Sequence, residues 1–241
     1  MLLMMWFRKT TRMPAVLLVR RTGLVLFTVL TSAAAGAENG VAAANAAGAS
    51  ARAGNPVAGK RHYALCVACH GANAEGNQGI NGPRLAGMEA WYFTRQLNNF
   101  KQGVRGTGRG DIYGGQMKPM ADALRDVDAV ADVAAYVATL NAAPATATVR
   151  GDAKRGRSLY APCAACHGVK AQGMQSLNAP RLAGASDWYL ITQLRNFRSG
   201  ARGSHAGDTF GQQMAPMAKV LADNKAITDV VAYINTLAGV R

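Results

Sequence analysis

The chain has four cysteines, and all of them lie in two copies of the pattern Cys-x-x-Cys-His. The first copy contains Cys66, Cys69 and His70, and the second contains Cys163, Cys166 and His167. Thiols and imidazoles act as nucleophiles and metal ligands, so their repetition at a fixed spacing indicates chemistry rather than packing. The histidine directly after the second cysteine decides which chemistry this is.

A Cys-x-x-Cys followed at once by His is the attachment motif of c-type haem. Two thiols three positions apart on a helical turn can bond to the two vinyl groups on neighbouring pyrroles, and the adjacent histidine then lies under the ring. The sequence therefore predicts two covalently bound haem c groups, one on each pair of cysteines, with His70 and His167 as iron ligands. Three alternatives are disfavoured: structural zinc, which usually uses wider-spaced pairs, a thioredoxin-like redox pair, which needs a strand–helix context, and simple disulfides.

An iron bound by one histidine needs a sixth ligand or an open position for chemistry. Met117 lies 47 residues after His70, and Met214 lies 47 residues after His167. A methionine thioether favours the reduced iron and raises the reduction potential, whereas core packing is the usual role of a methionine. A second methionine follows three positions later in each copy, and the repeated Met-x-Pro-Met pattern favours ligation. We select Met117 and Met214 as the axial ligands.

The segments "GPRLAG" and "APRLAG" follow the two haem motifs at matching positions. A metal-bound histidine usually donates its other ring N–H to a carbonyl or carboxylate, so the carbonyls of Pro83 and Pro180 are the predicted acceptors. Arg84 and Arg181 are predicted to bind haem propionates, because a guanidinium matches carboxylate geometry. A surface position for these two arginines is the equal alternative.

The sequence repeats itself at an offset of 97 residues, with no insertion or deletion between the matched positions. Outside the haem motifs, the matched positions include Tyr92 with Tyr189, Gln96 with Gln193, and Arg105 with Arg202. A period of this length indicates two complete domains rather than a solenoid. We predict a first domain over residues 54–143 and a second over 144–241, with an Ala/Thr/Pro linker at 141–149.

Three main helices are predicted in each copy, and no segment has the alternation of a β-strand. The first helix begins after Asn55 or Asp152, which are suitable N-caps, and runs into the cysteines. The second covers residues 88–101 and the third 127–140, each with a counterpart in the second copy. The predicted fold class is all-α.

The N-terminal residues have the order of a secretory signal peptide: two arginines, an apolar run, and small residues ending at Ala37. We predict a signal peptide at residues 1–37, cleaved after Ala37, and a flexible Ala/Gly-rich leader at 38–53. An uncleaved membrane anchor is the alternative. After cleavage, 22 Lys and Arg face 13 Asp and Glu, a formal charge of +9. This charge favours an anionic partner. Nucleic acid is disfavoured, because the chain is predicted to be exported and has no recognisable nucleic-acid-binding motif.

These motifs resemble the two-haem cytochrome c4 family, which has two tandem cytochrome c-type domains related by an internal duplication. The resemblance covers about residues 54–241. It rests on both haem motifs, the Pro-Arg-Leu-Ala-Gly segments, the Tyr-x-x-x-Gln-Leu helices, and the methionines preceding "DVAAYVATL" and "DVVAYINTL". It implies an all-α fold, His/Met ligation, and electron transfer to terminal oxidases in the bacterial periplasm.

The predicted function is that of a periplasmic dihaem cytochrome, with no catalytic residues, that carries electrons from a quinol-oxidising complex towards a terminal oxidase. A cytochrome subunit of a membrane dehydrogenase is the first alternative, and a two-haem peroxidase is the second. Peroxide chemistry needs an open iron position, whereas each haem here has a methionine candidate. Redox proteins are the predicted partners, and peripheral membrane association stays open.

The charge distribution predicts which domain meets a partner. Residues 54–143 have a formal charge of +2, and residues 150–241 have +7. Complementary charge raises association rates, mainly at low salt. We predict that the second domain meets an acidic partner surface through Arg195, Arg198 and Arg202. A merely solvated helix face is the alternative.

Overall fold

The computed structural model describes residues 53–239, and this part of the chain is helical. It contains no β-strand, and pairing between extended residues is confined to isolated bridges at Asn77–Gly82 and Met174–Ala179. Within the same residues, no helix is long and apolar enough to cross a membrane. The all-α prediction is confirmed. The predicted signal peptide and the leader up to residue 52 lie outside the described residues.

The first repeat begins at Asn55, whose side chain caps the first helix by accepting hydrogen bonds from the backbone N–H groups of its first turn. Its helices are α1 (Pro56–Tyr63), α2 (Val67–His70), α3 (Ala90–Lys101), α4 (Ile112–Asp122) and α5 (Ala129–Thr139). The predicted first helix is interrupted before the cysteines, because the N–H groups of Ala64 and Leu65 bond to carbonyls three residues back instead of four. The haem motif of this repeat therefore spans a turn and the short helix α2.

The second repeat has the same order of elements with one continuous helix at its start. Its helices are α6 (Ala153–His167), α7 (Asp187–Ser199), α8 (Thr209–Lys219) and α9 (Asn224–Thr236). Asp152 caps α6 by accepting from the N–H of Arg155, and the helix reaches the haem motif as predicted. A shared haem motif thus tolerates two backbone conformations in the residues just before it.

Neither α4 nor α8 is predicted from the sequence. Each contains an internal proline, Pro119 or Pro216, which is unfavourable inside a helix. Glycines near the first turn lower the intrinsic helix propensity further. Asp111 and Asp208 cap the two helices, and contacts with α3 and α7 hold them in place. Consequently both Met-x-Pro-Met patterns lie on helices rather than in loops.

A close helix crossing positions each haem motif. α1 packs against α5 and α6 packs against α9. A Cβ atom added at Gly59 would lie 1.9 Å from the carbonyl oxygen of Asp132, and one added at Gly156 would lie 1.9 Å from that of Asp229. Glycine is therefore required at both crossings. The crossings place the helix that leads into each haem motif against the last helix of its repeat.

The segment predicted as a linker, residues 141–149, is hydrogen-bonded to both repeats. The guanidinium of Arg84 donates to carbonyls of Ala142 and Ala143. The buried carboxylate of Asp187 accepts from the backbone N–H groups of Thr148 and Val149 at 2.6 and 2.8 Å. Burial raises the pKa of Asp187, but these hydrogen bonds lower it by more, so the carboxylate stays charged. The described residues form one compact unit, and the predicted domain boundaries stay a prediction.

Candidate haem sites

The histidines of the two haem motifs are buried and oriented by backbone carbonyls. Nδ1 of His70 donates to the carbonyl of Pro83 at 2.7 Å, and Nδ1 of His167 donates to that of Pro180 at 2.7 Å. Burial lowers the pKa of both imidazoles, and the hydrogen bonds oppose this only in part. A neutral imidazole with Nδ1 engaged presents Nε2 to a metal. These are the proline contacts that the sequence predicts, while iron ligation by the histidines stays a prediction.

A buried tyrosine fixes the backbone just after each histidine. The hydroxyl of Tyr63 donates to the carbonyl of Gly71 at 2.8 Å, and the hydroxyl of Tyr160 donates to that of Gly168 at 2.8 Å. Sequence reasoning missed both tyrosines. Their signal was present, since they occupy matching positions three residues before the first cysteine of each motif.

In each motif the first cysteine is half-buried and the second is exposed. Before a haem is attached, burial raises the pKa of the Cys66 thiol to about 11, and it also raises the pKa of the Cys163 thiol. Between residues 53 and 239, no three His, Cys, Asp or Glu side chains are grouped closely enough to hold a metal ion.

A cavity lies next to each haem motif, and residues of the other repeat complete its lining. The cavity of the first repeat has a volume of about 130 Å³, and that of the second has about 490 Å³. The chemically important side chains lining the first are Cys66, Cys69, His70, Met117 and Met120, and those lining the second are Cys163, Cys166, His167, Met214 and Met217. The folds thus bring together every predicted thiol, imidazole and thioether ligand of each site.

Both methionines of each pair face the cavity of their repeat. Met117 and Met120 are three positions apart on α4, so they share one face of the helix. Met117 is half-buried and packs against the core, whereas Met120 is exposed over 39% of its surface. The greater burial of Met117 is consistent with the choice of the first methionine. Ligation by Met117 and Met214 stays a prediction.

A buried polar network joins the two cavities across the boundary between the repeats. Arg105 donates to Gln96 in its own repeat and to Tyr189 and Gln193 in the other, and Arg202 donates to Gln193, Tyr92 and Gln96, all at 2.8–3.0 Å. Each guanidinium also lies over a phenylalanine ring of its own repeat. Burial raises the pKa of Tyr189, but the two nearby guanidinium groups lower it by more. The network is reciprocal, because each arginine bonds mainly to the other repeat.

One polar atom in each arginine of this network is buried without a partner. Nε of Arg105 and Nε of Arg202 have no hydrogen-bond acceptor, although Arg105 lines the first cavity and Arg202 the second. A buried cationic donor without an acceptor is costly unless an anion binds there. The carboxylates of a haem supply such anions. Paired thiols, a neutral imidazole, thioethers and an unsatisfied guanidinium around one apolar cavity together fit haem c.

Arg84 and Arg181, the residues predicted to bind propionates, have backbone partners. Arg84 bonds to the linker and to the carbonyl of Ala86, and it lines the cavity of the second repeat rather than that of its own. Nε of Arg181 donates to the carbonyl of Ala183 at 2.8 Å, and Arg181 lines the same cavity. Their role towards haem carboxylates stays a prediction. Sequence reasoning did not connect Arg105 and Arg202 with the two haem cavities that they border, although both positions match in the repeat.

The prediction that Arg202 belongs to a docking surface is wrong. Arg202 is only 8% exposed, and its guanidinium bonds to the other repeat as described above. Arg195 is exposed and Arg198 is half-buried, and both lie on α7. The error arose because charge alone does not distinguish a solvated arginine from one that is buried with paired glutamines and tyrosines.

Comparison with known proteins assigns the family. The cytochrome c family model matches the chain twice, at residues 56–141 and 153–238. A cytochrome c4 of Azotobacter vinelandii is 33% identical over 199 residues, which cover 77% of this chain and 90% of that protein. The chain belongs to the two-haem cytochrome c4 family.

Two further proteins are similar to this chain. A thiosulfate dehydrogenase electron acceptor of Stutzerimonas stutzeri is 35% identical over 176 residues, which cover 66% of this chain and 73% of that protein. The crystal structure of reduced recombinant cytochrome c4 from Pseudomonas stutzeri superposes with a TM-score of 0.59 at 28% identity, covering 76% of this chain and 98% of that one.

The cytochrome c4 fold and its two haem motifs establish the cofactor and the general role. The protein binds two covalent haem c groups, and the pairs Cys66/Cys69 and Cys163/Cys166 fit their attachment motifs. Bound haem supplies an iron that takes up and releases one electron. The protein is an electron-transfer cytochrome.

Proposed function

We propose that this cytochrome c4 is a periplasmic carrier that accepts electrons from a quinol-oxidising complex and delivers them to a terminal oxidase, without catalysing a substrate reaction. The observation that supports the proposal is the same in both repeats: a buried, oriented histidine and a helix-borne methionine line one apolar cavity. His70 with Met117, and His167 with Met214, would occupy both axial positions. Ligands on both sides leave no position for a substrate.

Ligand binding at the iron separates a carrier from a peroxidase. If both axial positions are occupied by protein side chains, the reduced wild-type protein should show no spectral change under carbon monoxide and no turnover with peroxide. The same reduced protein should be reoxidised by membranes that contain a terminal oxidase, as followed by the loss of its reduced α-band. Carbon monoxide binding to either haem of the native protein would contradict the carrier proposal and favour the peroxidase.

A second candidate function is that of an electron-accepting subunit of a dehydrogenase. The observation that favours it is the 35% identity to a protein named thiosulfate dehydrogenase electron acceptor. A stable complex with a dehydrogenase during purification would support this candidate. Purification as a free protein that reduces an oxidase would support the carrier. Export through a signal peptide cleaved after Ala37, and peripheral association with a membrane, fit both candidates.

Docking to an acidic partner surface is proposed for the second repeat through Arg195 and Arg198. Both lie on α7, and their guanidinium groups bond to Asn224 and to the carbonyl of Ala222 beside the start of α9. These contacts hold the two charges at one surface. The formal charge of +7 in residues 150–241 supports the same repeat.

Charge reversal tests this surface. Changing Arg195→Glu together with Arg198→Glu should slow electron transfer to the physiological acceptor about tenfold at low ionic strength, because steering by complementary charge is lost. The difference from wild type should shrink as salt is added. The matched control is Lys60→Glu with Arg61→Glu, an equal charge change on exposed residues of the first repeat. Equal slowing in both double variants would show that net charge acts and that α7 is not the dock.

A further inference from the structure

The N-cap residues of α3 and α7 make side-chain contacts across the boundary between the repeats. Glu89 precedes α3 and Ser186 precedes α7, at matching positions of the two repeats. Neither side chain caps its own helix, although serine is a favoured N-cap residue. Oε1 of Glu89 instead accepts from the backbone N–H of Arg181 at 2.9 Å, and Oγ of Ser186 accepts from that of Arg84 at 3.1 Å.

The peptide groups whose N–H groups donate to Glu89 and Ser186 are the same peptide groups whose carbonyls orient the haem-motif histidines. The carbonyl of Pro180 accepts from Nδ1 of His167, and the N–H of the same peptide group, on Arg181, donates to Glu89. In the first repeat, the peptide between Pro83 and Arg84 joins His70 to Ser186 in the same way. Each histidine is therefore linked, through one peptide group, to a side chain of the other repeat.

The two links differ in charge. Glu89 offers a carboxylate and Ser186 a neutral hydroxyl. The carboxylate is half-buried and close to Gly173, where an added Cβ atom would lie 2.7 Å from Oε1. A peptide N–H that donates to a carboxylate forms a charge-assisted hydrogen bond, and this polarises the carbonyl of the same group. Linked hydrogen bonds strengthen one another by about 10–30% per bond.

We propose that Glu89 tunes the second haem site from the first repeat, by strengthening the hydrogen bond from Nδ1 of His167 to Pro180. A stronger acceptor at Nδ1 increases the electron donation of the imidazole, which stabilises oxidised over reduced iron. Glu89 is thus a positioning and tuning residue that touches neither histidine. The inference rests on the proposed function only in taking His167 as an iron ligand.

Replacing the carboxylate by an amide tests the link with little change in shape. In the haem-loaded Glu89→Gln variant, the Nδ1–H resonance of His167 in the reduced protein should move upfield, and that of His70 should stay in place. The ratio of reduced to oxidised second haem at a fixed potential should rise about threefold to tenfold, which for one electron is about 30–60 mV. Redox titration followed by NMR signals of each haem measures both effects.

The repeat supplies the converse variant. Ser186→Glu places a carboxylate on the peptide that orients His70, so the Nδ1–H resonance of His70 should move downfield and the first haem should become harder to reduce. Asp126→Asn, on an exposed aspartate of the first repeat, controls for the loss of one negative charge and should move neither resonance. A potential shift in Glu89→Gln without movement of the His167 resonance would mean that Glu89 acts through space, and the proposed link would be wrong.

The same experiment separates this inference from the proposed function. If His167 does not bind the iron, the wild-type protein should lack a His167 resonance shifted by the haem. That result would contradict the carrier proposal itself, before any variant is compared. Wild-type ligation with unchanged Nδ1–H resonances in both Glu89→Gln and Ser186→Glu would overturn the inference alone.

Discussion

Replacing Met214 by alanine should open the second haem to carbon monoxide and lower its reduction potential by about 0.2 V, given that axial ligands set haem potentials over a range of about 0.8 V. Met214 is half-buried on α8 and faces the cavity that also contains His167. If Met214 is the axial ligand, removing its thioether takes away the group that favours reduced iron. Half of the total haem should then bind carbon monoxide, since the site at Met117 is unchanged. Difference spectra and redox titration measure the two effects.

The matched control for this variant lies one helical turn away. Met217 faces the same cavity from the same helix, so Met217→Ala removes a similar apolar volume without removing the proposed ligand. It should leave carbon monoxide binding absent and shift the potential only slightly. The pair Met117→Ala and Met120→Ala gives the same comparison in the first repeat. A carbon monoxide signal from Met217→Ala or Met120→Ala would assign ligation to the second methionine.

The haem motifs and the duplication could be predicted because they depend on residue type and spacing alone. The N-caps Asn55 and Asp152 could also be predicted, because Asn and Asp are favoured at that position and Pro56 is suited to the first helical position. The helix α4 was not, because Gly114, Gly115 and Pro119 lower local helix propensity and the packing against α3 that offsets them is a tertiary effect. Local signals thus give the positions of the proposed ligands in the sequence, but they do not predict the helix that carries the methionines.

The contacts between the repeats could not be predicted for a related reason. Arg105 and Arg202 match in the repeat, yet only the three-dimensional arrangement shows that each bonds to the glutamine and tyrosine of the other copy. Glu89 is a similar case, because a glutamate directly before a helix is expected to interact with the N-terminus of that helix and not with the other repeat. The contacts that Arg105 and Arg202 make with the other repeat span sequence separations of 84 to 110 residues, which no local pattern can predict.

Replacing either arginine of the buried network should destabilise the haem-loaded protein by about 2 kcal/mol. Arg202→Gln removes the donors to Gln193, Tyr92 and Gln96, and Arg105→Gln removes the equivalent set. Unfolding in guanidinium chloride, followed by the haem spectrum, measures the loss. Arg195→Gln is the control, because Arg195 is exposed and its replacement should stay within about 0.5 kcal/mol of wild type.

The double variant should lose more than the sum of the single variants, by about 1 kcal/mol. Oε1 of Gln96 accepts from both arginines, and so does Oε1 of Gln193. One replacement leaves each oxygen with a donor and also relieves repulsion between two buried cations. The second replacement leaves both oxygens buried without a donor. If the double variant lost only as much stability as the two single variants together, the two arginines would stabilise the boundary independently.

The same variants should lower the reduction potentials unequally. Arg202 lines the second cavity and Arg105 the first, so each positive charge favours reduced iron most strongly in the cavity it borders. Arg202→Gln should therefore lower the potential of the second haem more than that of the first, and Arg105→Gln should do the reverse. Because both guanidinium groups are buried, added salt should change these shifts little, unlike the effects of Arg195 and Arg198. Equal shifts of both haems in both variants would show that the network acts on the repeats as a whole, and not through the unpartnered Nε atoms at each cavity.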